Sequence, residues 1–340
     1  MKISIIIPTL NRSRLLNRTL FTLSEQITKH DFEIIVVDNG STDDTRDIVE
    51  YYANILKINI DYLFDDRPGL LIGRNAGARK SKGEVLSFID DDVILPPYWL
   101  ESVVDVFRDR NISLATGNNY PFFESTPPEW LDHLWQPLGK TGRCLYQLSF
   151  LEMGNKNCFI DPIFVWGLNY HIRKEVYFRV GGFNPDILPV KYEHFIGDGE
   201  TGIVESLKAH NFKAFFEPKI SLYHSTTTER LTKSYFFKRS YTEGMMNAYS
   251  CMRSGYNPNH GNQNISSLYG RVKSLFNKLS PFNHNRDNKE LFEVKQGIVQ
   301  SFSNGISDYL TNYTSNDLIK MYVKEINYLD IDYISSKYYN

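Results

Sequence analysis

Cysteine is scarce, with three in 340 residues (Cys144, Cys158 and Cys251) and no C-x-x-C spacing among them. That excludes a disulfide framework and the common zinc modules, and it reads as three reduced thiols. Long hydrophobic runs are missing too. The longest, Ile5-Ile6-Ile7 and the run from Ile34 to Val37, fall far short of the roughly 20 residues that cross a bilayer. The chain opens almost directly on a strand, KISIIIP, without the charged and then apolar stretches of a signal peptide. A cytoplasmic protein is expected, or one attached to a membrane from outside the hydrocarbon. No charge of either sign dominates: 38 Lys and Arg face 40 Asp and Glu, a formal net charge of -2. Nucleic acid is therefore not an expected partner. With 41% apolar and 23% charged residues, the composition excludes a disordered chain. The length suggests one large domain, or a catalytic domain with an appendage.

What is present is an alternation of two periods over the first 120 residues. Ile3 to Ile7 reads as a buried strand stopped by Pro8, because a short β-branched run fits a strand covered on both faces. Leu16, Leu20, Leu23 and Ile27 fall at helical spacing. Glu33 to Val37 is a second strand, followed by an Asp-Asn-Gly-Ser turn and a capping box, Ser41 to Asp44, that opens a helix bearing Ile48, Tyr51 and Ile55. Ile58 to Phe64 is a third strand, Ile72 to Arg79 a short helix, and Glu84 to Ile89 a fourth strand. Pro96 and Pro97 start a helix with Leu100, Val103, Val104 and Phe107 as its stripe. This order predicts a βαβ architecture with a mainly parallel sheet. Residues 120 to 160, rich in Pro and Trp, read as ordered loop. Then come a strand from Phe164 to Tyr170, helices at Arg173 to Arg179 and Thr201 to Ala209, and strands at Phe212 to Phe216 and Ile220 to Tyr223. Helical patterns dominate after about Ser225.

In a parallel α/β sheet, ligands gather at the carboxyl ends of the strands. Strand one ends in Pro8-Thr9-Leu10-Asn11-Arg12, strand two in Asp38-Asn39-Gly40-Ser41, and strand four in Asp90-Asp91-Asp92, while Arg74 lies in the helix after strand three. Three successive carboxylates repel one another unless a cation neutralises them, and hard oxygen ligands suit Mg2+ or Mn2+. A helix cap would explain one aspartate of the three. Asp38 fits turn chemistry as well as ligand binding. Arg74 is either a solvated charge or, beside a metal-bound diphosphate, a phosphate clamp.

The segments PTLNRSRLL, VVDNGSTDDT, GRNAGARKSKGEVLSFIDDDV and RKEVYFRVGGFNPD, in this order and spacing, together resemble glycosyltransferase family 2, a large inverting family of GT-A fold. The resemblance covers roughly residues 1 to 225 and is specific to the family, not to a substrate. It implies an α/β GT-A catalytic domain at 1–225, a Rossmann-like mixed sheet with a nucleotide-binding half (1–118) and an acceptor half (119–225), and a helical C-terminal extension at 226–340. It also implies a nucleotide-sugar donor, most often a UDP-sugar. The base would be gripped near the end of strand one, at Pro8, Thr9, Asn11 and Arg12, and by Asp38. Asp90 to Asp92 would contact the ribose and hold Mn2+ or Mg2+ on the diphosphate, with Asp92 as the first metal ligand. Trp166-Gly167-Leu168-Asn169 resembles the segment lining the donor-sugar pocket, and reads equally as a buried strand with an aromatic anchor. The family's acidic pair before an acceptor-half helix departs here to Gly197-Asp198-Gly199-Glu200. The general base therefore stands between Asp198 and Glu200, with Asp198 favoured by alignment. His224 is a candidate third metal ligand or a structural histidine.

Between Arg230 and Arg286 nine basic residues accompany one acid, Glu243, with Tyr235, Phe236, Phe237, Tyr241 and Tyr249 interleaved. That suits an anionic membrane surface or a lipid-linked acceptor, and it suits equally a helical appendage with a solvated basic face. The expected activity is metal-dependent, inverting transfer of a sugar to a hydroxyl of a glycan or glycolipid, in a setting such as bacterial surface-polysaccharide synthesis. A sugar-nucleotide pyrophosphorylase would need a Gly-rich loop after strand one, and PTLNRSRLL has no glycine. A catalytically inactive sugar-binding scaffold on the same fold is the non-enzymatic alternative.

Overall fold

The computed structural model describes residues 1–55, 59–139, 142–255, 286–325 and 327–339. Its framework is the sheet that the apolar runs predict. β1 (Ile3–Thr9) pairs in parallel with β2 (Phe32–Asp38), which pairs in parallel with β3 (Asn59–Phe64), and on its other side β1 pairs in parallel with β4 (Val85–Ile89). β1 runs through Pro8 to Thr9 rather than ending at Ile7. Pairing with β4 stops at Ile6, so the missing N–H of Pro8 lies beyond that ladder and breaks no pairing there. The third strand begins at Asn59, and Ile58 lies outside the described residues.

α1 (Ser13–Ser24), α2 (Thr45–Ile55), α3 (Leu70–Lys80) and α4 (Trp99–Phe107) connect and cover these strands. α1 buries Leu16, Leu20 and Leu23 but stops at Ser24, so Ile27 is exposed. α2 buries Val49 and Tyr52 and leaves Tyr51 and Ile55 exposed. Its real face lies one residue round from the predicted one. The α4 stripe is buried as read, with Trp99 added.

Residues 120 to 160 are not loop. After β5 (Val93–Ile94) and β6 (Leu114–Thr116) come β7 (Asn119–Phe123), β8 (Gln136–Leu138), β9 (Gly142–Leu145), β10 (Phe150–Glu152) and β11 (Cys158–Ile160). β12 (Asn169–Arg173) replaces the predicted 164–170 strand, and β13 (Ala214–Phe216) and β14 (Leu222–Thr226) follow. The large sheet runs β11-β13-β6-β12-β4-β1-β2-β3, with β12 antiparallel between β4 and β6. A second sheet runs β5-β14-β7-β10-β9-β8. Its strands are two to five residues long, too short for a period-2 pattern to register.

α5 (Lys174–Arg179) and α6 (Val204–Ala209) flank β12 and β13, and α7 (Lys233–Arg253), α8 (Arg286–Ser315), α9 (Asp317–Val323) and α10 (Ile331–Tyr338) form the C-terminal part. α7 and α8 meet closely at Gly244, where a Cβ would overlap the Phe302 carbonyl, and at Gly305, where it would overlap the Tyr241 carbonyl. One apolar cluster joins Ile6, Val37 and Phe88 of the sheet to Tyr249, Tyr309, Tyr322, Tyr328 and Ile334 of the C-terminal part. Asn75 of α3 donates to the Tyr328 carbonyl at 3.2 Å, Arg79 donates to the Leu329 carbonyl at 2.9 Å, and Arg67 pairs with Asp332. The change at residue 225 is thus one of secondary structure and not a break in the core. Among the described residues, no helix is long and apolar enough to cross a membrane.

Candidate active site

The carboxyl ends of β1, β2 and β4 bring three loops together. The loop after β1 turns at Asn11, a non-glycine residue with φ 53°, and its side chain accepts from the Thr42 amide at 2.7 Å. That tethers it to the loop after β2. Thr9 Oγ1 donates to Asp91 Oδ2 at 2.7 Å. Arg12 reaches across with both amino groups, Nη1 to Asp91 Oδ1 at 2.6 Å and Nη2 to Asp92 Oδ2 at 2.5 Å. Burial pushes the Asp91 carboxyl up to about 7, against the pull of Arg12. Asp38 uses both oxygens within the fold: Oδ1 accepts from the Gly40 and Ser41 amides at 3.1 and 2.7 Å, and Oδ2 from Tyr62 at 2.7 Å. The turn chemistry expected of this residue is therefore present, at the carboxyl end of β2. Pro8 is buried in β1.

Asp92 Oδ1 is fully buried and has no hydrogen-bond partner. Its neighbour is His224 Nε2, 3.2 Å away. His224 Nδ1 lies 2.9 Å from the Leu148 carbonyl, which can only accept, so Nδ1 carries the proton. Nε2 lies 3.0 Å from Arg230 Nη1, which can only donate, so Nε2 presents its lone pair. Oδ1 is thus left without a hydrogen bond beside Nε2, and a cation placed between them would be coordinated by both. Asp90, Asp92 and His224 each offer a ligand atom, all within 4.8 Å of one another. Two carboxylates and an imidazole whose other nitrogen is fixed by a carbonyl fit Mn2+ or Mg2+. The main chain holds the pieces in register, with the Ser225 amide donating to the Asp92 carbonyl at 2.8 Å.

Arg74 is 1% exposed and binds two carboxylates, Asp90 Oδ1 through Nη2 at 2.5 Å and Glu200 Oε1 through Nη1 at 2.7 Å. It is neither a solvated charge nor free for a phosphate. It ties the end of β4 to the 3-10 turn Gly199–Ile203. Gly167 lies against this pair, and a Cβ there would overlap both Glu200 Oε1 and Arg74 Nη1. Trp166 is in the turn before β12, not in a strand, with its indole N–H on the Ile163 carbonyl at 3.1 Å and its ring 5.2 Å from that of Tyr146. Glu200 shares Arg74 with Asp90 of the cluster and keeps a quarter of its side chain exposed. Asp198 turns the other way: it is buried, accepting from Asn184 Nδ2 at 2.5 Å and from Ser250 Oγ of α7 at 2.6 Å. Burial raises its pKa, although those two donors oppose the shift.

The glycosyl transferase family 2 model matches residues 4–177, just over half of the chain. The chain belongs to glycosyl transferase family 2. Among its relatives is the validoxylamine A glucosyltransferase of Streptomyces hygroscopicus subsp. jinggangensis, 30% identical over 210 residues that make up 54% of this chain and 47% of that protein. Another is the poly(ribitol-phosphate) beta-N-acetylglucosaminyltransferase TarS of Staphylococcus aureus, 38% identical over 139 residues that make up 38% of this chain and 24% of that protein. The matched part thus spans about half the length of the first of these relatives, or less. A solved structure of similar fold is the mannosyltransferase PcManGT of Pyrobaculum calidifontis in complex with GDP-Man and Mn2+ (TM-score 0.54, 16% identity, 98% of this chain and 86% of that one). At that identity the likeness concerns the fold, which is the expected GT-A arrangement.

For this family 2 chain, sequence reasoning left two site residues without a role. Arg230 was one charge in a basic stretch, yet it reaches both His224 and Asp92. Asp186, the last residue of GGFNPD, is 3% exposed with Oδ1 unpartnered, and burial together with the nearby Glu200 pushes its carboxyl up to about 8. A lone acid after a proline gave no signal. The basic stretch itself is largely committed: Lys233 pairs with Glu290, Arg239 with Glu243, and Arg253 donates to the Val323 and Glu325 carbonyls. Arg271, Lys273 and Lys278, and the side chain of Arg286, lie outside the described residues.

Proposed function

We propose that this protein transfers a sugar, with inversion, from a nucleotide-sugar to a hydroxyl of a glycan or glycolipid acceptor. The observation that carries this reading is the Asp90, Asp92 and His224 cluster, with its unpartnered Asp92 oxygen, joined through Arg74 to Glu200. A divalent cation held by these three side chains would neutralise the departing diphosphate. In this reading the nucleotide binds beside Thr9, Arg12 and Asp91, which are linked to one another at the ends of β1 and β4, with Asn11 and Asp38 fixing the two neighbouring loops. A UDP-sugar is favoured, since TarS, of similar fold (TM-score 0.50, 15% identity), was solved in complex with UDP-GlcNAc.

Glu200 is the better base. Its carboxylate is partly exposed and reaches Arg74, which also holds Asp90 of the cluster, whereas Asp198 is held under α7 by two hydrogen bonds. Glu200 takes the acceptor hydroxyl proton as the oxygen attacks the anomeric carbon. The bond from that carbon to the diphosphate breaks, and the nucleoside diphosphate leaves on the opposite face. Arg74 orients Glu200 through the contact of its Nη1 with Oε1. Relatives that include TarS and the chondroitin synthase of Escherichia coli support a place in surface-polysaccharide synthesis, on the cytoplasmic side of the membrane.

The test is calorimetry of UDP and other nucleoside diphosphates with and without Mn2+. Binding that needs Mn2+ in the native chain and is lost in Asp92→Ala supports the reading. Equal, Mn2+-dependent binding in Asp92→Ala overturns it. Release of UDP from a donor sugar separates an enzyme from an inactive scaffold.

A further inference from the structure

We propose that Arg230 is a resident counter-cation that must leave before His224 can hold a metal, and that its release couples metal binding to capture of the donor diphosphate. The inference rests on the cation site proposed above and adds to it a residue that the basic stretch had concealed.

His224 gives its Nδ1 proton to the Leu148 carbonyl at 2.9 Å, so Nε2 has a single lone pair to offer. Arg230 Nη1 occupies it at 3.0 Å and also lies 3.1 Å from Asp92 Oδ2. A lone pair cannot accept from an N–H and coordinate a cation at once. Ligation by His224 and its contact with Arg230 are therefore mutually exclusive. Arg12 differs, because its two amino groups bridge Asp91 and Asp92 and leave the imidazole free of that competition.

Local structure lets Arg230 move without unfolding its neighbours. It lies in a short 3-10 turn, Thr228–Leu231, six residues past His224. Its side chain is 23% exposed, whereas Leu231 beside it is buried and Thr232 caps α7 by accepting from the Tyr235 amide at 3.2 Å. The backbone on the α7 side is thus anchored while the guanidinium reaches the site from its rim. Once displaced, Arg230 stays beside the site with a planar fork of donors, the geometry that binds phosphate in a bidentate way. The diphosphate then stabilises the state in which Arg230 has left His224. Metal and nucleotide each favour that state, which makes their binding mutually reinforcing.

The experiment is titration of Mn2+ alone, and of Mn2+ with UDP present, into the native full chain, R230Q, R230K and H224A. With the competing charge removed, R230Q should bind Mn2+ alone about tenfold more tightly, and the gain that UDP brings, in the range of roughly 5 to 150-fold for coupled sites, should shrink towards one. R230K keeps the charge and should retain most of the native coupling. R230M keeps the aliphatic stem and takes the place of R230Q should that variant not fold. Unchanged Mn2+ affinity and unchanged coupling in the neutral variants overturn the role of Arg230. H224A separates the two levels: if it leaves Mn2+ binding intact, the cation site itself is misassigned, whereas lost binding in H224A with no effect of R230Q rejects Arg230 alone.

Discussion

Asp198→Asn and Glu200→Gln should fail in different currencies, one in stability and the other in turnover. Asp198 is buried and its two oxygens accept from two donors, Asn184 Nδ2 and Ser250 Oγ. An asparagine offers one acceptor oxygen and sets an NH2 group against the second donor. A buried donor left unpaired costs about 1–3 kcal/mol, so the urea midpoint of Asp198→Asn should fall accordingly. Its turnover should stay within about tenfold of native, since a group that touches no reactant removes no transition-state contact. Glu200→Gln keeps an acceptor oxygen for Arg74 Nη1, and Arg74 keeps Asp90. Stability should change less, whereas loss of the proton acceptor should lower kcat by roughly two to four orders of magnitude with donor affinity unchanged. The assays are urea unfolding and the Mn2+-dependent release of UDP from whichever donor sugar stabilises the protein. A native-like urea midpoint in Asp198→Asn together with a turnover loss as large as that of Glu200→Gln would refute the reasoning and return the base to Asp198.

Asp186 carries a pH signature. Its folded-state pKa of about 8 lies above the model-peptide 3.8, so its contribution to stability is present below pH 4 and is lost as pH rises towards 8, at about 1.4 kcal/mol per pH unit at most. Asp186→Asn in EDTA should show a shallower decline over that window, by urea unfolding at several pH values, and parallel curves would reject the assignment. Gly167→Ala should push against the Arg74 and Glu200 pair and cost about 1–3 kcal/mol of stability, as overpacking does, with reduced turnover; a native Tm and rate would contradict it. Asn75→Ala removes the side-chain bonds to the Phe183 and Tyr328 carbonyls and to the Phe183 amide, and should lower unfolding free energy by about 2–4 kcal/mol. An unchanged denaturation curve would mean that the C-terminal part does not dock through α3.

The parallel half of the large sheet was legible because its strands are near-continuous apolar runs covered on both faces, which is how a buried parallel strand reads. Its strand-end residues were legible for the same reason: once β1, β2 and β4 are placed, topology puts Thr9, Arg12, Asp38 and Asp90 to Asp92 on one edge. The α2 face slipped by one residue because Ile48, Tyr51 and Ile55 satisfy helical spacing as well as Val49 and Tyr52 do, and only packing chooses between them. The second sheet was illegible for a stronger reason. β7 pairs with β14 across about a hundred residues, and strands of two to five residues carry no period of their own. His224 is positioned by that sheet, so its approach to Asp92 was beyond any local pattern.

Asp198 and Glu200 show how one residue of backbone geometry decides a role. Gly199 between them has φ +60°, and a Cβ there would press on Asp186 Oδ2. The left-handed step, which glycine takes without strain, reverses the direction of successive side chains. It sends Asp198 under α7 and Glu200 out to Arg74. Alignment by residue type favours the acid that comes first, whereas the base proposed above is the acid that follows the turn. The same step explains why the acidic pair could be split by a glycine without losing a carboxylate at the site. One acid ties the 3-10 turn at Gly199 to α7 through Ser250, and the other, through Arg74 and Asp90, ties it to the end of β4. Arg74 belongs with these acids. It is buried among carboxylates from both halves, and a guanidinium so placed holds a geometry rather than a ligand.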